Sequence, residues 1–256
     1  MSKSHVNIVI PMAGNGSRFS SAGYRSPKPL IDMLGKTMIE TVIENLRPHQ
    51  NTRFIFICQR AHYKEYELEH IFNRSLDGDW ECVLLDGVTE GAACTVLEAE
   101  KFIDDGSDLI IANSDQIVDC SMTDYLNFAR TSKSDGLVMT FPANDTKWSY
   151  ISLTDEGYAI EVAEKKIIST HATTGIYYFA TGKSFKEAAL NMIKKNIRVN
   201  NEFYVAPVYN EIIGCGGKVR IWEIDDKAMH GIGTPEDLNA YFLLHGGYVS
   251  RSSPLS

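Results

Sequence analysis

The sequence predicts an α/β fold, a mostly parallel sheet flanked by helices, and three observations carry that prediction. Short apolar, β-branched runs recur along the first half, at Val6–Pro11, 53–58, 81–85 and Asp108–Ala112. Stretches with apolar residues at helical spacing separate them, which is the pattern of βαβ units. Loops rich in Gly, Ser, Asn or Asp follow the first and fourth runs, where the carboxyl ends of parallel strands would lie.

Each element can be justified in turn. Val6–Pro11 reads as a buried strand that breaks into a Gly/Ser-rich loop over 12–24. Met38, Ile39, Val42, Ile43 and Leu46 then fall at helical spacing. Residues 53–58 and 81–85 are the second and third strands, with His62 and His70 in a charged helix between them. Ala92, Val96, Ala99 and Ile103 place a helix over 90–104, and Asp108–Ala112 is a fourth strand running into Asn113-Ser114-Asp115-Gln116. In the second half, Tyr150–Leu153 and 158–162 flank Thr154-Asp155-Glu156-Gly157 as a hairpin, and 174–179 is another strand. Phe185, Ala188, Ala189, Met192 and Ile193 mark a helix, 202–213 a further one, and 218–224 returns to the sheet. Thr234 caps a last helix with Pro235 at its first position. The simplest organisation is one domain over 1–246 followed by a flexible tail, 247–256.

Composition narrows the function. The chain has 256 residues, 44% hydrophobic and 23% charged, with a net charge of −8. That length supports a sizeable core, and the acidic balance argues against nucleic acid or an anionic membrane as partner. Five cysteines without a C-x-x-C spacing exclude a disulfide framework and a cysteine zinc site. The opening Met-Ser-Lys-Ser-His has no secretory core, and no apolar run reaches the length of a membrane span. A soluble cytoplasmic protein is expected, with self-association left open.

The sharpest motif is Gly14-Asn15-Gly16-Ser17-Arg18-Phe19, followed by Pro27-Lys28-Pro29-Leu30. Its glycines permit a turn whose backbone N–H groups point at phosphate oxygens, and Arg18 and Lys28 add two cations. The plain alternative is a surface loop with two solvated basic residues. Two familiar phosphate motifs are excluded. A dinucleotide fingerprint needs a third glycine where Phe19 stands, and Gly35-Lys36-Thr37 would need its P-loop glycine at Leu30.

This run, from Ile8 to Leu46, resembles the sugar-phosphate nucleotidyltransferases, the family containing glucose-1-phosphate thymidylyltransferase and small cytidylyl- and uridylyltransferases. Asp115 after its strand, Glu164-Lys165 before Thr174-Gly175, and Gly233-Thr234-Pro235-Glu236 extend the likeness in the family's order. The resemblance implies the Rossmann-like nucleotidyltransferase fold, also that of nucleotide-diphospho-sugar transferases. It implies an NTP and a small phosphorylated acceptor as substrates, and Mg2+ as cofactor. Met12, Ala13, Gly14, Asn15, Gly16 and Ser17 would bind the nucleotide, the Gly14 to Arg18 loop holding the triphosphate; Arg18 would face the leaving phosphates, and Lys28 the α-phosphate. Asp86, Glu90 and Gly91 fall in the region that contacts the base, although they are not the family's usual residues there. Asp115 would bind Mg2+, while Glu164, Lys165, Thr174 and Gly175 would hold the acceptor. For Glu164-Lys165-Lys166 a solvated charge run is the bland alternative, as a loop or capping role is for Asp115.

The chemistry suits these residue types. The second pKa of a phosphomonoester is about 6, so the nucleophile is already ionised at neutral pH and no histidine base is needed. Catalysis then rests on positioning and charge neutralisation. One departure stands out: the family's second metal-binding aspartate would fall at Gly231. Asp115 and the nucleotide could hold the metal alone, Asp225, Asp226 or His230 could reach in, or catalysis could be lost. His171, Arg198 and Glu202 are outside candidates for the acceptor pocket, and Asn200 and Asn201 candidates for helix caps. A GT-A-like glycosyltransferase using an NDP-sugar and a non-catalytic nucleotide-binding subunit are the rival functions. The chain ends soon after Gly233-Thr234, so the C-terminal repeat domain of bifunctional acetylating relatives is not expected.

Overall fold

The computed structural model describes residues 5–76 and 78–246; the expected tail, 247–256, lies outside the described residues. Its strands are β1 (Val6–Pro11), β2 (Thr52–Gln59), β3 (Trp80–Leu85), β4 (Asp108–Ala112), β5 (Gln116–Val118), β6 (Gly136–Pro142), β7 (Tyr150–Leu153), β8 (Ala159–Ala163), β9 (His171–Phe179), β10 (Val219–Glu223) and β11 (Met229–Gly231). The main sheet runs β10-β6-β9-β4-β1-β2-β3, with β7 and β8 branching from β9. β3, β2, β1 and β4 are mutually parallel, as are β10 and β6, while β9 runs antiparallel between β4 and β6. The expected mostly parallel α/β fold is therefore present.

The central strands are buried on both faces, which is why they read as unbroken apolar runs. Alternation still sorts them. Ile8, Ile10, Phe54, Phe56 and Ile110 join one core with the helices Met38–Leu46, Leu68–Ser75 and Met122–Thr131. Val9, Ile55, Ile57, Leu109 and Ile111 join the other, with Ala92–Leu97, Gly182–Lys194 and Val208–Gly214. Among the described residues no helix is long and apolar enough to cross a membrane.

Several expectations are corrected. The 12–24 loop contains a helical turn, Ser17–Ser21, entered through a left-handed Gly16. The helix over 90–104 is shorter and broken into Ala92–Leu97 and Glu100–Ile103. It cannot begin at Glu90 because Gly91 lies at φ 135, and Glu90 O accepts from Phe203 N–H at 2.8 Å. It tightens near its middle, where Ala99 N–H donates to Val96 O and Phe102 N–H to Ala99 O, three residues back in each case. The helix over 202–213 begins only at Val208, after Pro207, since the Phe203 amide and carbonyl are committed to Glu90 and Ala93. Asn200 and Asn201 cap no helix; both take positive φ in a tight turn closed by the Val199–Glu202 bridge. No expectation covered 117–149, where β5, the helix Met122–Thr131 and the interior strand β6 lie. Gly136, Thr140 and Pro142 interrupt the apolar signal of β6. The glycine is required, because a Cβ there would stand 2.4 Å from the Tyr209 ring.

Candidate active site

Three junctions bring the candidate residues together. Parallel register sets Val9 beside Ile111, so the loop after β1 and the segment after β4 leave the same edge of the sheet. Ligands of open parallel sheets bind at that edge. β9 skips register against β6 between Val138 and Thr140, and the bulge holds Thr174 and Gly175. Gly175, at φ 90, accepts from Asn113 N–H at 3.0 Å. A Cβ there would lie 2.4 Å from the Asn113 side-chain amide, so only glycine fits. Finally, β11 pairs antiparallel with β5, setting Gly231 opposite Gln116, and Ile232 N–H donates to Asp115 O at 2.9 Å.

A cavity of about 320 Å³ opens at this meeting point. Of the residues expected from the sequence, Arg18, Asp115, Glu164, Lys165, Thr174 and Gly175 line it. Lys28, in the turn Lys28–Leu30, forms an ion pair with Asp115. The Gly14–Arg18 loop packs onto that turn, with Gly16 so close that a Cβ would sit 3.3 Å from Lys28 Cβ. Met12 and Ala13 are buried, while Gly14, Asn15 and Ser17 are exposed. Among the described residues, no acceptor in the chain takes the backbone N–H groups of Gly14 through Arg18, so they are free for an anion.

Also in the lining, Glu164 is half-buried and accepts a hydrogen bond from Ser149 Oγ. Burial pushes its carboxyl above the usual range, with Ser149 and Lys165 opposing the shift. Lys165 takes a left-handed backbone at φ 54, donates from its amide to Trp148 O at 3.1 Å, and donates from Nζ to Tyr204 Oη at 2.7 Å. Neither residue behaves as a solvated charge run; Lys166, next in line, is exposed.

Other expected residues do not reach the cavity. Asp86 pairs with Arg60 at 2.7 Å and Glu90 with Arg198 at 2.6 Å, so both carboxylates of the expected base region turn to cations outside the lining. Gly91 packs on the Phe203 backbone, where a Cβ would approach N and O to 2.5 Å. Arg198 lies over the Phe203 ring, and His171 pairs with Glu223. None of Asp225, Asp226 and His230 supplies the carboxylate missing at Gly231: His230 bonds Asp119 at 2.8 Å, and the aspartates lie outside the lining.

Residues without a sequence motif complete the cavity, among them Lys147, Trp148, Ser149, Tyr177, Tyr204 and Asp237. Trp148 and Asp237 flank the bare Gly231, whose added Cβ would stand 3.4 Å from the Trp148 ring and 4.0 Å from the Asp237 carboxylate. Among the described residues, no three or more His, Cys, Asp or Glu gather into a cage for a metal ion.

Residues 8–204 match the family model described as nucleotidyl transferase. The chain belongs to the nucleotidyl transferase family. Among curated relatives it is 26% identical over 176 residues to the bifunctional protein GlmU of Methanococcus maripaludis, covering 67% of this chain and 39% of that one. It is also 26% identical to GlmU of Buchnera aphidicola, covering 96% of this chain and 57% of that one. The chain thus spans about two fifths of the Methanococcus relative's length. A solved nucleoside-diphosphate-sugar pyrophosphorylase from Vibrio cholerae superposes with a TM-score of 0.80 at 25% identity, covering 92% and 99% of the two chains. The inositol-1-phosphate CTP transferase from T. maritima shares the fold, with a TM-score of 0.74 at 17% identity and 94% coverage of each chain. Within this nucleotidyl transferase fold, Arg18, at the end of the Gly14–Arg18 loop, and the Glu164-Lys165 pair line one cavity, while Gly14, Asn15, Gly16 and Ser17 lie outside its lining.

Proposed function

We propose that this chain transfers a nucleoside monophosphate from an NTP to a sugar 1-phosphate or another small phosphomonoester, releasing pyrophosphate. The observation that carries the reading is the gathering of cations and carboxylates around one cavity. Arg18, which ends a loop whose amides have no acceptor in the chain, lines the same cavity as Asp115, Glu164 and Lys165, and Lys28 pairs with Asp115. On this reading the loop amides and Arg18 take the β- and γ-phosphates. Lys28 stabilises the charge that builds at the α-phosphate, and Glu164 accepts from an acceptor hydroxyl. Asp115 would hold Mg2+, with the nucleotide phosphates and water completing its shell, as suits an ion that keeps such ligands readily. That ion would supply further neutralisation of the phosphates. Lys28 pairs with Oδ2 of Asp115, so Oδ1 of that carboxylate would be the oxygen offered to the ion.

The solved relatives are named for a nucleoside-diphosphate sugar and for inositol 1-phosphate with CTP, so the fold tolerates different acceptors. We place the protein in the cytoplasm, supplying nucleotide-linked precursors for a surface polysaccharide, without nucleic-acid or membrane partners. The test is pyrophosphate release with Mg2+, crossing the common NTPs with sugar 1-phosphates and alcohol phosphates. Release with one pair names both substrates. NTP binding with no release across the panel would favour a non-catalytic nucleotide-binding subunit, a reading to which the bare Gly231 lends weight.

A further inference from the structure

The cavity holds a cation that the reaction outlined above does not use. Lys147 lines the cavity two residues before Ser149, and its ammonium sits 4.8 Å from the centre of the Trp148 ring. Its ionic partner is Asp237, at 3.3 Å, from the first turn of the helix Pro235–Leu244. Asp237 is fixed from the other direction, since its amide donates to the Thr234 cap. The side chains of Lys147 and Asp237 are 48% and 28% exposed, so water screens the pair. A pair of that kind is worth little and opens readily.

We infer that Lys147 is a ligand for the phosphate of the acceptor, parked on Asp237 until that phosphate arrives. The inference rests on the proposed transfer reaction. Its position selects the role. Lys147 and Trp148 continue directly into Ser149, which bonds Glu164, and Trp148 O holds the amide of Lys165. Lys147 therefore belongs to the Glu164-Lys165 wall and not to the loop that carries Arg18. Lys165 waits in a comparable way, with its ammonium on the Tyr204 hydroxyl. Two lysines on one wall, each held by a partner weaker than a dianionic phosphate, suit a phosphomonoester. The bare Gly231 leaves the space between Trp148 and Asp237 open, so the ammonium can swing without meeting a side chain there. Asp237 is then a positioning residue, one that keeps a long, flexible cation in the lining.

Calorimetric titration of the full chain with inorganic phosphate and, separately, with pyrophosphate tests this. Lys147→Met should weaken phosphate binding by about tenfold while leaving pyrophosphate affinity and the melting temperature close to wild type. Lys147→Arg should restore most of the loss. Asp237→Asn should tighten phosphate by about two- to fivefold, the scale of an exposed ion pair. In turnover with an identified substrate pair, Lys147→Met should raise the acceptor KM and spare the NTP KM. Phosphate affinity unchanged in Lys147→Met, or lost equally in Asp237→Asn, would overturn the assignment. A wild-type chain that binds phosphate through Lys147 but turns over no substrate would refute the transfer reaction alone and leave the lysine's phosphate site standing.

Discussion

Lys28 and Asp115, 87 residues apart in sequence, form an ion pair, and Asp115 lines the cavity. The pairing follows from parallel register. β1 and β4 run side by side, so the turn after one and the loop after the other emerge at the same edge. The pair neutralises the carboxylate and holds the lysine beside a residue of the cavity lining.

Removing the lysine should therefore damage the reaction more than the fold. Lys28→Met is expected to lower kcat by about 10²–10³-fold, the scale of losing one preorganised charge in a transition state. The melting temperature should shift only slightly. A kcat within threefold of wild type in steady-state pyrophosphate release would remove Lys28 from the catalytic group.

Glu164 gives the reaction a signature in pH. Burial raises its carboxyl above the ordinary 4.5, so it protonates at a less acidic pH than a solvated glutamate. The acceptor KM should rise as pH falls through that raised value, and Glu164→Gln should flatten this limb. Stability follows the opposite sign. The contribution of a group with a raised folded pKa is complete below 4.5 and is lost as pH rises through the raised value. Glu164→Gln should thus melt no lower than wild type at pH 7, provided Ser149 still donates to the new amide oxygen. Melting curves at pH 4 and pH 7 check both statements.

Glu40 behaves in the reverse sense. Burial pushes its carboxyl up, but Arg74, donating at 2.6 and 2.9 Å, and the Thr37 hydroxyl and amide outweigh that and hold it at about 2. Its stabilisation is complete above 4.5 and disappears as pH falls toward 2. Glu40→Gln, which keeps a capping-box oxygen at the start of Met38–Leu46 but removes the charge that Arg74 pairs with, should cost about 1–2 kcal/mol at pH 7. In urea unfolding at the acid end that cost should vanish.

Close packing at one glycine makes a structural prediction. Gly91→Ala must push its Cβ against the Phe203 backbone at 2.5 Å, from a φ of 135. The expected cost is about 3 kcal/mol, read as a drop in urea midpoint. Gly14→Ala, with nothing within 4 Å of the added carbon, should stay within about 0.5 kcal/mol of wild type.

Much of the site was legible because its chemistry sits in contiguous motifs. Arg18, Asp115, Glu164 and Lys165, picked from short motifs, all line the cavity, and Asp115 stands three residues after an apolar strand. Lys147 and Asp237 announce nothing. Their meeting depends on a tryptophan beside a glycine and on the pairing of two three-residue strands, β5 and β11, that are too short to leave a periodic signal. Asp86 and Glu90 misled because position after a strand does not say which way a carboxylate turns, and Arg60 and Arg198 decide that. The helix start at Val208 was hidden for a similar reason: the Phe203 backbone is spent on a partner more than a hundred residues earlier, Glu90.

The most direct test of the account is pyrophosphate release under Mg2+ titration, comparing the wild-type chain with Asp115→Asn on one productive substrate pair. The account predicts Mg2+-dependent release that collapses in Asp115→Asn while NTP affinity persists. Equal release from both proteins across the titration would contradict it.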